Sequence, residues 1–206
     1  MDFLFDGPAD ARATLILAHG AGAAMDTPFM DAFAAGVAEA EIQVARFEFD
    51  YMRLRRVDGK RRGPDRLAKL IACWEAAIDH FGSAGRLFAG GKSMGGRIAS
   101  LVADRRALAG LVCLGYPFHP AGKPAQLRTE HLAELKTPAL FVQGERDSFG
   151  NREEVSAYEL SPAIEFAWLP DGDHSFKPRK SSSATEADNW SAGVAAVVEF
   201  IRANSL

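Results

Sequence analysis

The chain has 206 residues, 48% of them hydrophobic, and a formal net charge of −3 at pH 7. This length and composition suffice to bury one substantial core, so we expect a single domain over residues 1–206. The small negative charge argues against a general affinity for nucleic acid or an anionic membrane, and no apolar run approaches the roughly 20 residues of a membrane-spanning helix.

The N-terminus and the cysteine content predict the compartment. Residues 1–6 lack the basic and apolar regions of a signal peptide. The two cysteines, Cys73 and Cys113, are too few for a disulfide framework, so we expect both to be reduced and buried. The sequence therefore favours a cytoplasmic protein.

The first elements alternate between strand and helix. Residues 3–5 predict an edge strand, and residues 13–18 are apolar apart from Thr14, as is typical of a strand covered on both faces. A helix should follow, with Thr27 as its N-cap and Pro28 in its first turn.

The next elements are a strand over residues 44–49 and a polar loop over residues 50–63. Pro64 and Asp65 predict the start of a helix whose apolar stripe extends to Phe81.

The second half of the chain repeats this alternation. Its predicted elements are a strand at 87–89, a helix from 94, a strand at 110–114, a Pro- and Gly-containing excursion over 116–130, strands at 139–142 and 164–169, and a helix over 190–201. Strands separated by helices predict an α/β fold, with a doubly wound, mostly parallel sheet of about seven strands and helices on both faces.

The segment around Ser93 carries the strongest chemical motif. Gly91 and Gly95 flank Ser93 in a G-x-S-x-G spacing between a strand and a helix, which is the pattern of a nucleophile elbow. A β-carbon at either glycine would strike the crossing strand and helix. The following helix would place the backbone N–H of Met94 and its positive dipole end beside the hydroxyl, where an oxyanion forms in acyl transfer.

Two later residues are candidate partners of this serine. In a parallel sheet, functional groups collect at the carboxyl ends of strands; Asp147 follows the strand that ends at Val142, and His174 follows the last strand. With an unperturbed pKa of about 6.5, His174 can take the proton of Ser93 and return it to the leaving group. Asp147 would orient the imidazole, and an acyl-enzyme would form on the serine.

Other acidic residues and histidines remain open as alternatives. Glu145 is a second candidate for the acid, whereas Asp171 and Asp173 are interpreted as turn formers and Asp104 as a solvated charge. His19 either competes as the base or pins the glycine loop that follows it. No cluster has metal-ligand spacing, so we predict neither a metal nor another cofactor.

The loop after the second predicted strand should supply the other half of the oxyanion hole. Its position matches the loop that donates the second N–H, for which Ala21 is the first candidate and Gly22 the second. The residues expected to contact substrate are Gly20, Lys92, Tyr116, His119 and Phe176.

Six stretches together resemble the α/β-hydrolase superfamily, and more narrowly a group of small hydrolases akin to dienelactone hydrolase. They lie at residues 19–22, 62–65, 90–97, 115–120, 143–147 and 172–176. The group includes the hydrolase-like domain of a chromatin-complex subunit and of a testis-expressed protein. The resemblance covers almost the whole chain and implies the fold and the triad. Dienelactone hydrolase uses a cysteine nucleophile where this chain has Ser93, so its substrate does not carry over.

Two features bear on specificity. The excursion at 116–130 stands where many α/β-hydrolases insert a lid, and its shortness predicts an open site unsuited to long-chain lipids. Residues 53–62 contain six cationic side chains after a strand end; they form either a solvated loop or a rim that favours anionic substrates or an acidic partner. We expect a serine hydrolase of small carboxylic esters or thioesters, the alternative being a catalytically silent scaffold that binds a partner.

Overall fold

The computed structural model describes residues 1–82 and 86–205, through which a seven-stranded sheet runs. Its strands are β1 (Phe3–Asp6), β2 (Ala13–Ala18), β3 (Gln43–Phe47), β4 (Arg86–Lys92), β5 (Gly110–Leu114), β6 (Ala139–Gly144) and β7 (Ile164–Leu169). The strand order is β1-β3-β2-β4-β5-β6-β7, with β1 antiparallel to β3 and the other neighbouring pairs parallel. The mostly parallel sheet and its edge strand are therefore confirmed.

Helices cover both faces of the sheet. They are α1 (Pro28–Ala38), α2 (Asp50–Asp58), α3 (Leu67–Phe81), α4 (Met94–Val102), α5 (Arg152–Ser156) and α6 (Glu186–Ala203), with short 3-10 turns at Ala103–Arg105 and Glu130–Leu132. One core joins α1 and α6 to the face that presents Leu15, and the other joins α3 and α4 to the face that presents Ile16. Adjacent strand residues point to opposite faces, so the sheet is doubly wound as predicted.

Helix α2 replaces the loop expected at residues 50–63 and corrects that prediction. Tyr51 and Met52 in its first turn are buried and anchor it to the core. Gly59 ends the helix in the left-handed conformation at a φ of 68°. Sequence reasoning missed α2 because most of its remaining side chains are charged and form no apolar stripe.

Helix α3 begins at Leu67, later than the start expected at Pro64 and Asp65. The Asp65 carboxylate instead accepts the backbone N–H of Tyr51 at 3.1 Å and pairs with Lys69 Nζ at 3.1 Å. Asp65 therefore joins the beginnings of α2 and α3.

The segment 116–130 contains no α-helix and forms no lid over the carboxyl ends of the strands, as its length predicted. Cys73 and Cys113 are buried and unbridged. Within residues 1–82 and 86–205, none of the helices combines the length and the apolar character needed to cross a membrane.

Candidate active site

Ser93 lies between the end of β4 and the start of α4, with φ 52° and ψ −114°. This conformation is strained for a residue other than glycine and is typical of functional turns. A β-carbon at Gly91 or at Gly95 would overlap the carbonyl oxygen of Ala18 on the neighbouring strand β2. Both positions therefore require glycine, as the motif predicted.

The three side chains predicted to work together form one hydrogen-bonded chain. Ser93 Oγ lies 2.9 Å from His174 Nε2, and His174 Nδ1 lies 2.8 Å from Asp147 Oδ2. Because the carboxylate accepts the Nδ1 hydrogen, Nε2 keeps a lone pair that faces the serine hydroxyl. Ser93 follows β4, Asp147 follows β6 and His174 follows β7, so the parallel sheet brings all three to one edge.

Asp147 is fully buried and held by several donors. Its Oδ2 also accepts the Gln143 side-chain amide at 3.0 Å, and its Oδ1 accepts the Phe149 N–H at 2.8 Å. The Gln143 amide oxygen accepts the Tyr116 N–H at 2.7 Å, which ties the ends of β5 and β6 together. Sequence reasoning missed Gln143, whose signal was a polar residue inside an apolar strand.

The electrostatic surroundings of His174 favour its neutral form. Burial lowers the pKa of His174, the positive charge of Lys92 lowers it further, and the hydrogen bond to Asp147 opposes both. Lys92 Nζ donates to the His174 carbonyl at 2.5 Å and lies 5.4 Å from the ring centre of Phe29 and 5.6 Å from that of Phe176. Burial lowers the pKa of Lys92 to about 8. Near neutral pH, His174 is therefore suited to accept a proton.

His19 pins the glycine loop, which was one of its two expected roles. The Phe49 N–H donates to His19 Nε2 at 3.2 Å, so Nδ1 carries the hydrogen and donates to the Gly20 carbonyl at 2.6 Å. The Tyr51 hydroxyl donates to the Ala21 carbonyl at 3.0 Å. Since both ring nitrogens of His19 contact backbone groups, His19 does not compete as the base.

Two cavities meet at the serine, and both are lined by Ser93, Ala21 and Phe149. The first, here named the aromatic pocket, measures about 520 Å³ and is lined also by Gly20, Gly22, Phe29, Lys92, His174 and Trp190. The second, here named the arginine pocket, measures about 460 Å³ and is lined also by Pro64, Asp65, Met94, Arg97, Pro117 and Arg128. The oxyanion candidates Ala21, Gly22 and Met94 thus lie at the site.

Three expected substrate contacts, Tyr116, His119 and Phe176, line neither pocket, and this corrects the prediction. Tyr116 and Phe176 are completely buried, and His119 is 2% exposed. The Tyr116 hydroxyl donates to the Arg128 carbonyl at 2.9 Å, while Phe176 packs in the core against Phe33. Each follows a strand end, but its side chain turns inward, because burial of an aromatic ring is favourable.

Phe149 is an aromatic residue that lines both pockets, and the sequence analysis missed it. Its ring centre lies 4.3 Å from that of His174. No motif marks Phe149 in the sequence, because its position follows from the turn that holds Asp147.

The alternative acidic residues have other partners. Glu145 pairs with Arg152 at 2.8 Å and accepts the Asp171 N–H at 3.0 Å. Asp104 accepts the Thr137 N–H at 2.8 Å, which corrects its interpretation as a purely solvated charge. In the part of the chain that the structure describes, no three His, Cys, Asp or Glu side chains converge as possible metal ligands.

The cationic residues of segment 53–62 line neither pocket at Ser93. Several are paired with acids: Arg56 lies 2.7 Å from Glu48, and Arg62 lies 2.5 Å from Asp58. The segment therefore places none of its six cations in either pocket, and an acidic partner for it stays a prediction.

Comparisons with known proteins agree with this fold. A family model described as an alpha/beta hydrolase domain matches residues 11–202. A lid-less α/β serine hydrolase from Xanthomonas campestris superposes with a TM-score of 0.71 at 19% identity, covering 98% of this chain and 88% of that one. A dienelactone hydrolase from Anabaena variabilis gives 0.73 at 18%, covering 97% and 89%. Est1E from Butyrivibrio proteoclasticus, solved with ferulic acid, gives 0.69 at 16%, covering 98% and 94%.

Proposed function

Because the chain belongs to the α/β-hydrolase domain family, we propose that it is a serine hydrolase that cleaves small carboxylic esters or thioesters through an acyl-enzyme on Ser93. The observation that carries this proposal is the hydrogen-bonded chain from Ser93 through His174 to Asp147, with distances of 2.9 Å and 2.8 Å. The strained serine backbone and two adjoining cavities add to it.

The reaction follows from the proton positions. His174 Nε2 takes the hydroxyl proton as Ser93 Oγ bonds to the substrate carbonyl carbon, and Asp147 stabilises the imidazolium. The C–O or C–S bond to the leaving group then breaks while His174 returns the proton to it. A water molecule, deprotonated in turn by His174, attacks the acyl-enzyme. The bond between the acyl carbon and Ser93 Oγ then breaks, His174 returns the proton to that oxygen, and the acid is released.

The negative charge on the carbonyl oxygen requires fixed donors. The Met94 N–H is the first of α4 and has no partner within the helix, so it is available beside the helix dipole. We assign the second N–H to Ala21, with Gly22 as the alternative. The contacts of His19 and Tyr51 to the Gly20 and Ala21 carbonyls hold this loop in place, which is what a preorganised oxyanion hole needs.

The pockets support small substrates. Each measures about 500 Å³, within the range of small-molecule sites, and segment 116–130 forms no lid over them. The buried, unbridged Cys73 and Cys113 fit a reducing compartment and support the expected cytoplasmic location.

The test is labelling with a fluorophosphonate probe, followed by a panel of 4-nitrophenyl esters and acyl thioesters of increasing chain length. Wild type should be labelled and should hydrolyse short members of the panel. Ser93→Ala should lose labelling and at least about 10⁴-fold in kcat. Ser100→Ala, which alters a buried serine on the same helix, is the matched control. A folded wild type that is neither labelled nor active would overturn the proposal in favour of the scaffold.

A further inference from the structure

The arginine pocket contains positive charge without matching negative charge. In the described part of the chain, neither Arg97 nor Arg128 forms an ion pair, and the buried Nε of Arg97 has no hydrogen-bond partner. The one carboxylate that lines this pocket, Asp65, is already engaged by Lys69 and by the Tyr51 N–H, each at 3.1 Å. The pocket therefore contains two guanidinium groups against one carboxylate, which already has other partners.

Both arginines have fixed backbones at the site. Arg97 lies one helical turn after the nucleophile, and its N–H donates to the Ser93 carbonyl at 3.0 Å. The Arg128 N–H donates to the Phe118 carbonyl at 2.7 Å, and the Arg128 carbonyl accepts the Tyr116 hydroxyl at 2.9 Å. Their positions thus follow from the elbow helix and from the short excursion after β5.

The two guanidinium groups also repel each other. Burial lowers the pKa of Arg128, and the nearby charge of Arg97 lowers it further. Two like charges held together in a partly buried place are unfavourable unless an anion lies between them. A carboxylate is the anion that the guanidinium fork fits best among small organic groups, because it accepts two parallel N–H bonds.

The position of His174 indicates which part of the substrate meets the arginines. His174 must protonate the leaving group, and it lines the aromatic pocket but not the arginine pocket. The leaving group therefore belongs in the aromatic pocket, and the acyl group belongs in the arginine pocket.

From these contacts we propose that Arg97 and Arg128 bind a carboxylate at the far end of the acyl group, so that the substrates are half-esters or half-thioesters of short dicarboxylic acids. This inference rests on the proposed hydrolase function. It places the preference for anionic substrates in the arginine pocket rather than in segment 53–62.

The kinetic test compares two esters that share one leaving group: mono-4-nitrophenyl glutarate, with a charged acyl group, and 4-nitrophenyl pentanoate, with a neutral one of the same chain length. Wild type should favour the glutarate ester roughly tenfold to a hundredfold in kcat/KM. Arg97→Gln and Arg128→Gln should each lower kcat/KM, through KM, much more for the glutarate ester than for the pentanoate ester, and should thereby lose most of this preference. Arg97→Lys, which keeps the charge, should retain part of it.

Arg105→Gln is the matched control, because it removes the same charge in the 3-10 turn that follows α4. Arg105 is exposed and lines neither pocket, so this variant should keep the wild-type preference. A wild type without preference, or arginine variants that lose both substrates equally, would overturn the inference. A third ester, 4-carboxyphenyl pentanoate, carries the charge on the leaving group. If the arginine variants lose kcat/KM for this ester rather than for the glutarate ester, the assignment of the acyl group to the arginine pocket is wrong.

A binding measurement separates this inference from the proposed function. Calorimetric titration of glutarate into Ser93→Ala should show binding. Adding Arg97→Gln to that variant should abolish the binding, whereas adding Arg105→Gln should leave it unchanged. If hydrolysis is absent but this pattern holds, the proposed function fails and the carboxylate site stands. If hydrolysis is present but neither Arg97→Gln nor Arg128→Gln weakens glutarate binding, the proposed carboxylate site is wrong and the proposed hydrolase function stands.

Discussion

Two serine–histidine hydrogen bonds lie along the elbow helix, and their lengths hardly differ. Ser93 Oγ is 2.9 Å from His174 Nε2, and Ser100 Oγ is 2.8 Å from His131 Nε2. Distance alone would give both pairs the same chemistry. The surroundings of the two pairs give them opposite roles.

The donor and the acceptor of the serine–histidine hydrogen bond are exchanged between the two pairs. The Ser100 hydroxyl donates to the Arg97 carbonyl at 2.7 Å, so it can only accept a hydrogen from His131 Nε2. His174 donates through Nδ1 to Asp147, so its Nε2 accepts the proton of Ser93 instead. A histidine that donates to a serine cannot activate that serine.

Exposure and charge separate the pairs further. Ser100 is 3% exposed and has an ordinary helical backbone, whereas Ser93 lines both pockets. Burial lowers the pKa of His131 to about 4, and the charge of Arg97 adds to this effect. The Ser100–His131 pair therefore satisfies a buried hydroxyl and a half-buried imidazole, and the Ser93–His174 pair opens onto the pockets.

The largest expected effect in this comparison comes from replacing Asp147, whose carboxylate accepts the Nδ1 hydrogen of His174 and so leaves Nε2 as the acceptor. Asp147→Asn should lower kcat for 4-nitrophenyl pentanoate by about 10³- to 10⁴-fold, because the imidazole loses the carboxylate that holds its tautomer. Glu145→Gln is the control and should stay near wild type. Should Asp147→Asn retain activity within tenfold while Glu145→Gln loses it, the alternative acid would be the functional one.

A smaller effect concerns the charge beside His174. Lys92→Met removes a positive charge that lowers the His174 pKa, so that pKa should rise. Because the base must be neutral, the acidic limb of the kcat/KM–pH profile should move to higher pH, by about one unit or less. Lys123→Met, on an exposed lysine, should leave the profile unchanged. A shift to lower pH would contradict the role assigned to Lys92.

The smallest effect on activity should come from the second pair. Ser100→Ala leaves the half-buried His131 N–H without its acceptor, so urea unfolding should show a loss of about 1 kcal/mol in the free energy of unfolding. Ester turnover should remain within about twofold of wild type, because Ser100 contacts neither pocket. A loss of turnover comparable to that of Ser93→Ala would show that the two pairs act together.

Much of the fold and of the site could be predicted because parallel sheets obey simple rules. Asp147 and His174 follow the ends of different strands, and those ends meet at one edge of the sheet. The errors concern the direction of side chains. Tyr116 and Phe176 also follow strand ends, yet both turn into the core, and a strand-end rule places a backbone without stating which way its side chain points.

The sequence by itself determined the strand–turn–helix at Ser93, its two glycines and the order of its partners, because those features depend on local backbone geometry and chain direction. Only the tertiary structure decided which way each Ser–His hydrogen bond points and which cations line the pockets at Ser93. Those properties depend on the neighbours that distant segments supply: Gln143 holds Asp147 at 3.0 Å, and Arg97 meets Arg128 in one pocket. Electrostatic environment arises from packing between segments, which no local pattern contains.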